Sequence, residues 1–307
     1  MPDRFIPTGP FTDTDFPGDG SKPFPIVEVF GYEKHLTTAA ARQSFVDKHC
    51  PFVGNMCEKY NQYGYGYCSV QYKSKYDTAP QVYAVCDHRL DGAPIRHALT
   101  DYFGANDRAR LLEELTLSDP DQSFDFIAID TDTDNFIAIE TQAIDLRGGG
   151  VGPAWESIFE GNPAEWRSFF SREALEKGRK DTVAYGVNMA NITKRLGSQI
   201  AEKGSLLRQI GVKLYVIAQD ICFQYFKSRI PAVWSTERDG EWDITFITFD
   251  YTGNVLPDGR LEMVYRQTVR TTHTSFSEAV SRSTSVISRA DFLSRVKEKL
   301  MRQDVTD

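Results

Sequence analysis

The sequence predicts an α/β protein in which a mixed β-sheet is flanked by helices and preceded by a cysteine-rich module. The stretch FDFIAIDTDTDNFIAIETQAID, residues 124–145, has the pattern of two apolar strands joined by an acidic turn. Residues 188–210 place apolar side chains at helical spacing, and KLYVIAQD at 213–220 follows as a buried strand. Because a strand, a long helix and a second strand follow in that order, we expect a crossover connection within one sheet.

The first 105 residues are expected to form an arm and a small module. Residues 1–25 are rich in Pro, Gly and Asp, which predicts a loose N-terminal arm. Residues 24–32 predict a strand and residues 37–47 a helix, and a Tyr- and Gly-rich segment with four cysteines then runs to residue 87. That segment is too irregular to support a core of its own without an additional cross-link such as a bound metal ion. Residues 26–105 are therefore predicted to be an N-terminal segment with a four-cysteine metal module.

The main domain is expected at residues 106–307. A helix is predicted at residues 106–115, before the strand pair. GGGVGP at 148–153 is expected to end the second strand, and a further helix is predicted at 164–177.

The composition favours a large buried core and a location in the cytoplasm. The chain has 307 residues, of which 41% are hydrophobic. Its beginning lacks the apolar core of a signal peptide, and no stretch approaches the roughly 20 apolar residues needed to cross a bilayer. We therefore expect a cytoplasmic protein with no membrane partner. Five cysteines are an odd number for a disulfide framework, so free thiols are expected.

The charged residues are distributed unevenly along the chain. The net charge of −8 argues against nucleic acid as a partner. However, residues 163–213 contain ten Lys or Arg and five acids, and residues 260–302 contain nine Lys or Arg and four acids. Two basic stretches in an otherwise acidic chain are compatible with DNA binding. Two solvated helical faces would have the same composition.

Four of the five cysteines lie within a short part of the chain. Cys50, Cys57, Cys68 and Cys86 are separated by 6, 10 and 17 residues, without the two-residue spacing of common zinc motifs. Four thiolates in a tetrahedral set would suit a structural zinc or iron ion. Scattered small core residues are the alternative, because free cysteine is often buried. Cys222 is expected to be an ordinary core residue.

The acidic turn of the strand pair resembles the start of a calcium-binding loop. Asp130, Asp132 and Asp134 occupy alternate positions, as in an EF-hand. However, Asn135 stands where the required glycine belongs, and Thr141 stands where a bidentate Glu belongs. The sequence therefore excludes an EF-hand and favours a polar turn.

Asp125 and Glu140 lie one on each strand, where pairing around the turn would bring them together. Two adjacent carboxylates repel each other unless a proton or a cation intervenes. A hard cation such as Mg²⁺ would resolve this repulsion and would activate water for attack on phosphorus. The alternative to a metal site is that the two acids simply lie at strand ends on the solvent-exposed face of a sheet.

A series of short motifs carries a resemblance to a known family. Asp125 on one strand and Glu140-x-Gln142 on the next resemble the catalytic signature of PD-(D/E)xK nucleases, with glutamine in place of the usual lysine. The same chain contains EVFGY, CPF, CSV and AIETQAID, at residues 28–32, 50–52, 68–70 and 138–145. This combination resembles NotI-type type II restriction endonucleases over about residues 26–220.

The resemblance implies a Mg²⁺-dependent endonuclease with a restriction-endonuclease-like sheet at residues 106–307. It implies that Asp125, Glu140 and the backbone carbonyl of Thr141 bind Mg²⁺ and that Gln142 orients the attacking water. Whether Asp125 or Asp130 is the ligand on the first strand stays open, although alternation from Phe124 favours Asp125. The family also implies an iron site formed by the four cysteines, zinc being the other candidate, and a homodimer that cuts a GC-rich palindrome in double-stranded DNA.

The residues that would contact DNA are less well defined. Lys and Arg bind phosphates, whereas Arg, Lys, Asn and Gln read base edges. The helical stretch at 191–204 offers four candidates for the DNA backbone: Lys194, Arg195, Gln199 and Lys203. The C-terminal part offers four side chains for bases: Arg266, Arg270, His273 and Arg282.

Two other classes of function stay open on the residues alone. A non-catalytic, metal-binding protein that associates with DNA would use the cysteines and leave the strand acids without a role. A glycoside hydrolase would use Asp125 and Glu140 as an acid and base pair, and would be active in EDTA.

Overall fold

The computed structural model describes residues 5–18, 22–73, 77–105, 109–119, 121–148, 150–180, 183–282 and 289–303. In chain order, the strands are β1 (Ile26–Val29), β2 (Tyr32–Glu33), β3 (His49–Cys50), β4 (Asn55–Met56), β5 (Tyr67–Tyr72), β6 (Gln81–Ala84), β7 (Ala109–Ser118), β8 (Asp121–Asp130), β9 (Asn135–Gln142), β10 (Leu146–Gly148), β11 (Tyr185–Val187), β12 (Lys213–Gln219), β13 (Ile244–Val255) and β14 (Leu261–Thr271). The α-helices are α1 (Ala39–Asp47), α2 (Glu58–Tyr63), α3 (Ala93–Phe103), α4 (Gly152–Phe159), α5 (Trp166–Glu176), α6 (Met189–Asn191), α7 (Gly197–Gln209), α8 (Asp220–Arg229), α9 (His273–Arg282) and α10 (Arg289–Gln303).

A mixed six-stranded sheet forms the centre of the fold. Its strand order is β14-β13-β12-β9-β8-β7. Strands β7, β8 and β9 form an antiparallel meander, β12 lies parallel to both β9 and β13, and β14 returns antiparallel. Helix α3 packs on one face, while α7 and α8 pack on the other. The predicted mixed α/β architecture with crossover connections is therefore confirmed.

Strand β12 lies at the centre of this sheet because its sequence is apolar on both faces. All its residues except Lys213 are buried, as expected for a parallel strand covered by helices on both sides. Successive side chains of β12 pack on opposite faces of the sheet: Leu214 lies in the hydrophobic core on the α7 side, and Tyr215 lies in the core on the α3 side. The predicted strand at residues 213–220 and the predicted helix at 188–210 are both present.

Strand β7 replaces the helix that the sequence predicts at residues 106–115. Residues 106–108 lie outside the described part of the chain, and residues 109–118 pair with β8 as an edge strand. Leu111 and Leu112 are both exposed, and Glu114 has a φ of 51° in a local irregularity of the strand. The helix prediction is wrong because pairing with β8 overrides the helical preference of LLEEL.

The predicted strand at residues 24–32 is divided by a tight turn. Strands β1 and β2 pair with each other across Phe30 and Gly31, which have φ angles of 46° and 81°. A Cβ atom on Gly31 would come within 2.5 Å of Pro51, so this turn needs glycine for both backbone and space. The predicted helix at 37–47 appears as α1, whose first turn is capped by the Thr38 hydroxyl oxygen, which accepts from the Ala41 amide.

The described part of the N-terminal arm is packed rather than loose. Phe16 and Phe24 are buried in the main core, and the Trp166 indole donates to the Pro17 carbonyl oxygen at 2.9 Å. GGGVGP also differs from its prediction, because β9 ends before it at Gln142 and the short strand β10 separates the two.

The N-terminal module docks on the edge of the sheet where the parallel strands end. Its four-stranded sheet has the order β2-β1-β5-β6. Gln219, at the end of β12, accepts from the Ala84 amide at 2.9 Å and donates to the Val82 carbonyl oxygen at 2.6 Å. The same amide group also donates to Asp250 Oδ1 at 2.8 Å. One buried side chain therefore joins β6, β12 and β13.

A continuous helical segment crosses the face of the sheet beside β9. Helix α6 runs into a π-helical turn at Ile192–Leu196, which continues as α7. Ile200 and Leu207 of α7 are buried in the core. In the described residues, no helix is both long and apolar enough to span a membrane.

Candidate active site

Asp125 and Glu140 meet on one face of the sheet, at its carboxyl edge. The last paired residues of β8 and β9 before this edge are Phe126 and Ile139, so Asp125 and Glu140 form the next opposed pair. The Thr141 amide donates to Asp125 Oδ2 at 2.8 Å. Asp130 lies at the opposite end of β8, where it pairs with Asn135. The structure thus places Asp125, rather than Asp130, beside Glu140.

Glu140 is held by a lysine from the helix that crosses the sheet. Lys203 Nζ lies 2.6 Å from Glu140 Oε2, and the two residues are 7% and 9% exposed. The other carboxylate oxygen, Oε1, is buried and has no hydrogen-bond partner among the described residues. A buried carboxylate oxygen normally has a partner, so Oε1 lacks the contact that a bound cation or donor would supply.

The environment raises the pKa of both carboxyl groups. Burial and the nearby Asp125 carboxylate raise the pKa of Glu140 to about 7, although Lys203 opposes the rise. Burial also raises the pKa of Asp125, against the Thr141 amide and Lys203, which favour its ionised form. Two adjacent acids with raised pKa values have the electrostatic character of a cation site or an acid-base pair.

Asp87 is a third carboxylate near this site, and no motif in the sequence predicts it. It begins the 3₁₀ turn Asp87–Leu90 of the N-terminal module, and its Oδ1 accepts from the Ala143 amide at 2.6 Å. Its charge raises the pKa of Asp125, and burial raises the pKa of Asp87 itself. Asp87 is nevertheless exposed to solvent. Nothing in the sequence marks it, apart from its position next to Cys86.

Gln142 lies two residues beyond Glu140 on the same face of β9. Its amide nitrogen donates to the Ala143 carbonyl oxygen at 2.6 Å. A small cavity of about 10 Å³ separates Gln142 from the helical segment that carries Asn191 and Arg195, which is room for about one water molecule. Asn191 and Arg195 both bind Asp145, at 2.6 and 3.0 Å.

The donor set at the sheet edge suits a hard cation. Within the described ranges, no group of three or more His, Cys, Asp and Glu side chains has the geometry of a metal site. Mg²⁺ is usually bound by only one or two carboxylates, with water and substrate oxygens completing the shell. Asp125, the open Oε1 of Glu140 and the Thr141 carbonyl therefore fit Mg²⁺ in chemical character.

The four cysteines of the predicted metal module do not form a closed site in the structure. Cys50, Cys57, Cys68 and Cys86 are all buried and free, and none belongs to a metal-holding group among the described residues. Their thiols still affect one another, because burial first and then the thiols of Cys86, Cys50 and Cys57 raise the pKa of Cys68. Cys222 is buried in α8, as predicted for a core residue.

The helical stretch proposed for DNA contact divides between surface and core. Lys194, Arg195 and Gln199 are exposed, whereas Lys203 is buried in its ion pair with Glu140. Lys203 is therefore not on the surface that these three residues share, which corrects the prediction. The division follows from the π-helical turn and from the phase of α7, which turns Lys203 toward the sheet.

Two of the four C-terminal side chains suggested for bases are also engaged within the fold. Arg270 is buried and forms an ion pair with Asp101 at 2.6 Å. His273 Nε2 lies 2.9 Å from the Ala201 carbonyl oxygen.

No family model matches the chain, and no curated protein matches it.

Proposed function

We propose that this protein is a type II restriction endonuclease that hydrolyses phosphodiester bonds of double-stranded DNA with Mg²⁺. The observation that carries the proposal is the unpartnered Oε1 of Glu140 beside Asp125, at the carboxyl edge of parallel strands. Ligand sites of open α/β sheets form at this edge. The mixed sheet flanked by helices is also of the kind that the motif resemblance implies.

The proposed reaction needs a cation and a positioned water molecule. Asp125, Glu140 and the Thr141 carbonyl would hold Mg²⁺, which when bound supplies positive charge next to the phosphate. The oxygen of water forms a new bond to phosphorus, and one phosphorus–oxygen ester bond breaks. The attacking water loses one proton and the leaving oxygen gains one. Gln142 would orient that water, since its amide has no charge with which to accept a proton.

The four cysteines would hold a structural iron or zinc ion. Backbone amides point at the sulfur atoms, an arrangement that stabilises thiolate ligands. The Gly31 amide donates to Cys68 Sγ at 3.2 Å. Amides also lie against the other three sulfurs: those of Phe52 and Val53 on Cys50, Lys59 and Tyr60 on Cys57, and His88 on Cys86. A metal ion would complete this site by replacing the protons of the four thiols.

The proposed DNA contacts follow from the position of the helical segment beside β9. Lys194, Arg195 and Gln199 are exposed, and Arg195 lines the cavity at Gln142. They would bind backbone phosphates on either side of the cleaved bond. Cutting both strands of a palindromic, GC-rich site requires two active sites related by a twofold axis, so we propose a homodimer. The proposed enzyme would act in the cytoplasm as part of a restriction-modification system.

A cleavage assay tests the proposed function. Purified protein is incubated with unmethylated phage DNA and Mg²⁺, with matched reactions in EDTA, and the expected result is a set of discrete fragments that EDTA abolishes. Asp125→Asn and Glu140→Ala should remove cleavage, because each removes a charged ligand of the cation. Asp134→Asn is the matched control and should cut normally, because Asp134 is exposed in the distant polar turn.

Other outcomes favour the other classes. Intact DNA with wild-type protein would support a non-catalytic protein that binds metal and associates with DNA. Cleavage that persists in Glu140→Ala would refute the proposed site. A smear of fragments would mean cleavage without sequence preference, and glycosidase activity in EDTA would favour the carbohydrate alternative.

A further inference from the structure

We propose that Lys203 is a catalytic residue whose ammonium group binds an anionic oxygen of the scissile phosphate. The inference rests on the proposed function, and it adds a residue that lies 63 positions from Glu140 in the sequence. The Glu140-x-Gln142 motif has no cationic side chain. Helix α7 supplies a cationic side chain, Lys203, to the Glu140 carboxylate.

The hydrogen bonds of Lys203 leave part of its ammonium group unused. An ammonium group has three donor protons. Within the described part of the chain, Lys203 Nζ donates only to Glu140 Oε2, at 2.6 Å, and lies 5.4 Å from the centre of the Phe124 ring. Lys203 as a residue is 7% exposed, and two of its donor protons thus have no hydrogen-bond acceptor among the described residues. A buried ammonium group normally satisfies its donors, so an oxygen from outside the fold is the missing acceptor.

The open atoms of the ion pair belong to the same small region. Glu140 presents an unpartnered Oε1, and Lys203 presents unpartnered donors, on the sheet face that also carries Asp125. An anionic oxygen and its accompanying cation would satisfy both groups together. A phosphodiester with Mg²⁺ has this combination of charges.

A purely structural role explains the pair less well. Burying an ion pair costs desolvation that the attraction only partly repays, and an apolar pair of the same size often stabilises a fold equally well. The chain has a surface counterpart with the same separation, since Lys177 Nζ lies 2.6 Å from Glu173 Oε1. That pair has solvent for its remaining donors, because 56% of the Lys177 side chain is exposed. Only 9% of the Lys203 side chain is exposed.

Three variants separate a catalytic role from a structural one. Lys203→Met removes the charge and keeps most of the length, Lys203→Arg keeps the charge, and Lys177→Met removes a lysine from the surface pair. We measure the single-turnover cleavage rate and the KM for a DNA duplex at saturating Mg²⁺, per folded molecule.

We expect Lys203→Met to lower the rate roughly 100- to 1000-fold, as for loss of one transition-state donor. Its KM should change less than the rate does, because the other phosphate contacts of the protein still hold the DNA. Lys203→Arg should recover about tenfold over Lys203→Met, and Lys177→Met should cut at the wild-type rate.

A second readout does not depend on DNA cleavage. Binding of inorganic phosphate in the presence of Mg²⁺ is measured by calorimetry for the wild type and the same variants. We expect Lys203→Met to weaken phosphate binding at least about tenfold and Lys177→Met to leave it unchanged. If Lys203→Met does not fold, Lys203→Arg decides, because a structural role predicts wild-type cleavage and phosphate binding for it.

The outcomes distinguish this inference from the proposed function. Wild-type protein that binds phosphate through Lys203 but does not cut DNA would overturn the proposed nuclease function and support the proposed anion site. Cleavage and phosphate binding that are equal in the wild type and Lys203→Met would overturn the role of Lys203 alone. Wild-type protein that neither cuts DNA nor binds phosphate would overturn both.

Discussion

Glu140 is a buried carboxyl group next to a second carboxyl group, and its titration near neutral pH follows from that position. Its pKa rises from an ordinary value of 4.5 to about 7, first because of burial and then because of Asp125. The folded chain therefore keeps the Glu140 proton at pH values where the unfolded chain releases it. The stability that this proton contributes is full below about pH 4.5 and is lost as pH rises through about 7.

Glu140→Gln tests this dependence in EDTA. The free energy of unfolding of the wild type should fall relative to that of Glu140→Gln between pH 5 and 7.5, by about 2 kcal/mol, since one pKa unit corresponds to about 1.4 kcal/mol. Urea unfolding at several pH values provides the measurement. Glu173→Gln is the control, because Lys177 and Arg179 hold the pKa of Glu173 below its ordinary value in spite of burial, outside this pH window. Parallel curves for the wild type and Glu140→Gln would contradict the expectation.

At the residue scale, the sequence identifies one part of the candidate site. Strand alternation and the acidic turn predict that Asp125 and Glu140 lie together, and the structure pairs them. Lys203 and Asp87 could not be predicted, since they reach the site from α7 and from the N-terminal module. Contacts across such distances depend on how elements pack, which no local pattern contains.

At the element scale, the β13–β14 hairpin is connected to the N-terminal module by a buried ionic group. Glu28 is fully buried and accepts from Arg89 at 3.0 Å and from the Tyr251 hydroxyl at 2.8 Å. Arg89 also donates to the Leu261 carbonyl oxygen of the same hairpin. A buried carboxylate depends on such donors, and losing one leaves an acceptor without a partner.

Tyr251→Phe tests this connection. The change should lower the free energy of unfolding by about 1 to 3 kcal/mol, because Glu28 loses a donor that solvent cannot replace. Tyr265→Phe is the matched control: its hydroxyl bonds Thr268 at 3.1 Å and the residue is 43% exposed, so a change within about 0.5 kcal/mol is expected. Equal unfolding midpoints in urea for both variants would show that the Tyr251 hydroxyl contributes nothing to docking.

The elements themselves were predictable where their pattern is strong. The hairpin of β8 and β9, helix α1 and strand β12 follow from alternation, capping and a continuous apolar run. Strand β7 was not predictable, because LLEEL has apolar residues at helical spacing and its partner β8 alone makes it a strand. Sheet pairing is a property of two segments, whereas a helix is a property of one.

At the scale of the whole molecule, the N-terminal module and the sheet edge share one boundary. Cys86 and Asp87 are consecutive, so the proposed metal module is joined directly to the carboxylate that binds the Ala143 amide. An ion held by the cysteines would fix the start of the Asp87–Leu90 turn. The sequence suggested a module and a catalytic domain, but their docking through Gln219 and Asp87 was beyond local patterns.

Metal analysis tests the proposed module. Purified wild-type protein should contain about one equivalent of iron or zinc per chain, as expected for a four-thiolate site. Cys68→Ser should lose that metal and unfold at lower temperature, because the site contributes to folding. Cys222→Ser should keep it, since Cys222 lies in α8, outside the module. Metal that is absent from the wild type, or retained by Cys68→Ser, would contradict the four-cysteine site.

The π-helical turn at Ile192–Leu196 sets the rotation of helix α7 relative to the helical residues that precede the turn. Before the turn, Asn191 donates a hydrogen bond to Asp145, and after it Lys203 donates to Glu140, so one helical segment contacts the chain on both sides of Gln142. Removing one residue from the turn would rotate Lys203 relative to Asn191 by about 100° about the helix axis. A single-codon deletion in this turn would therefore be as damaging as the loss of a site residue, although every functional side chain would still be encoded.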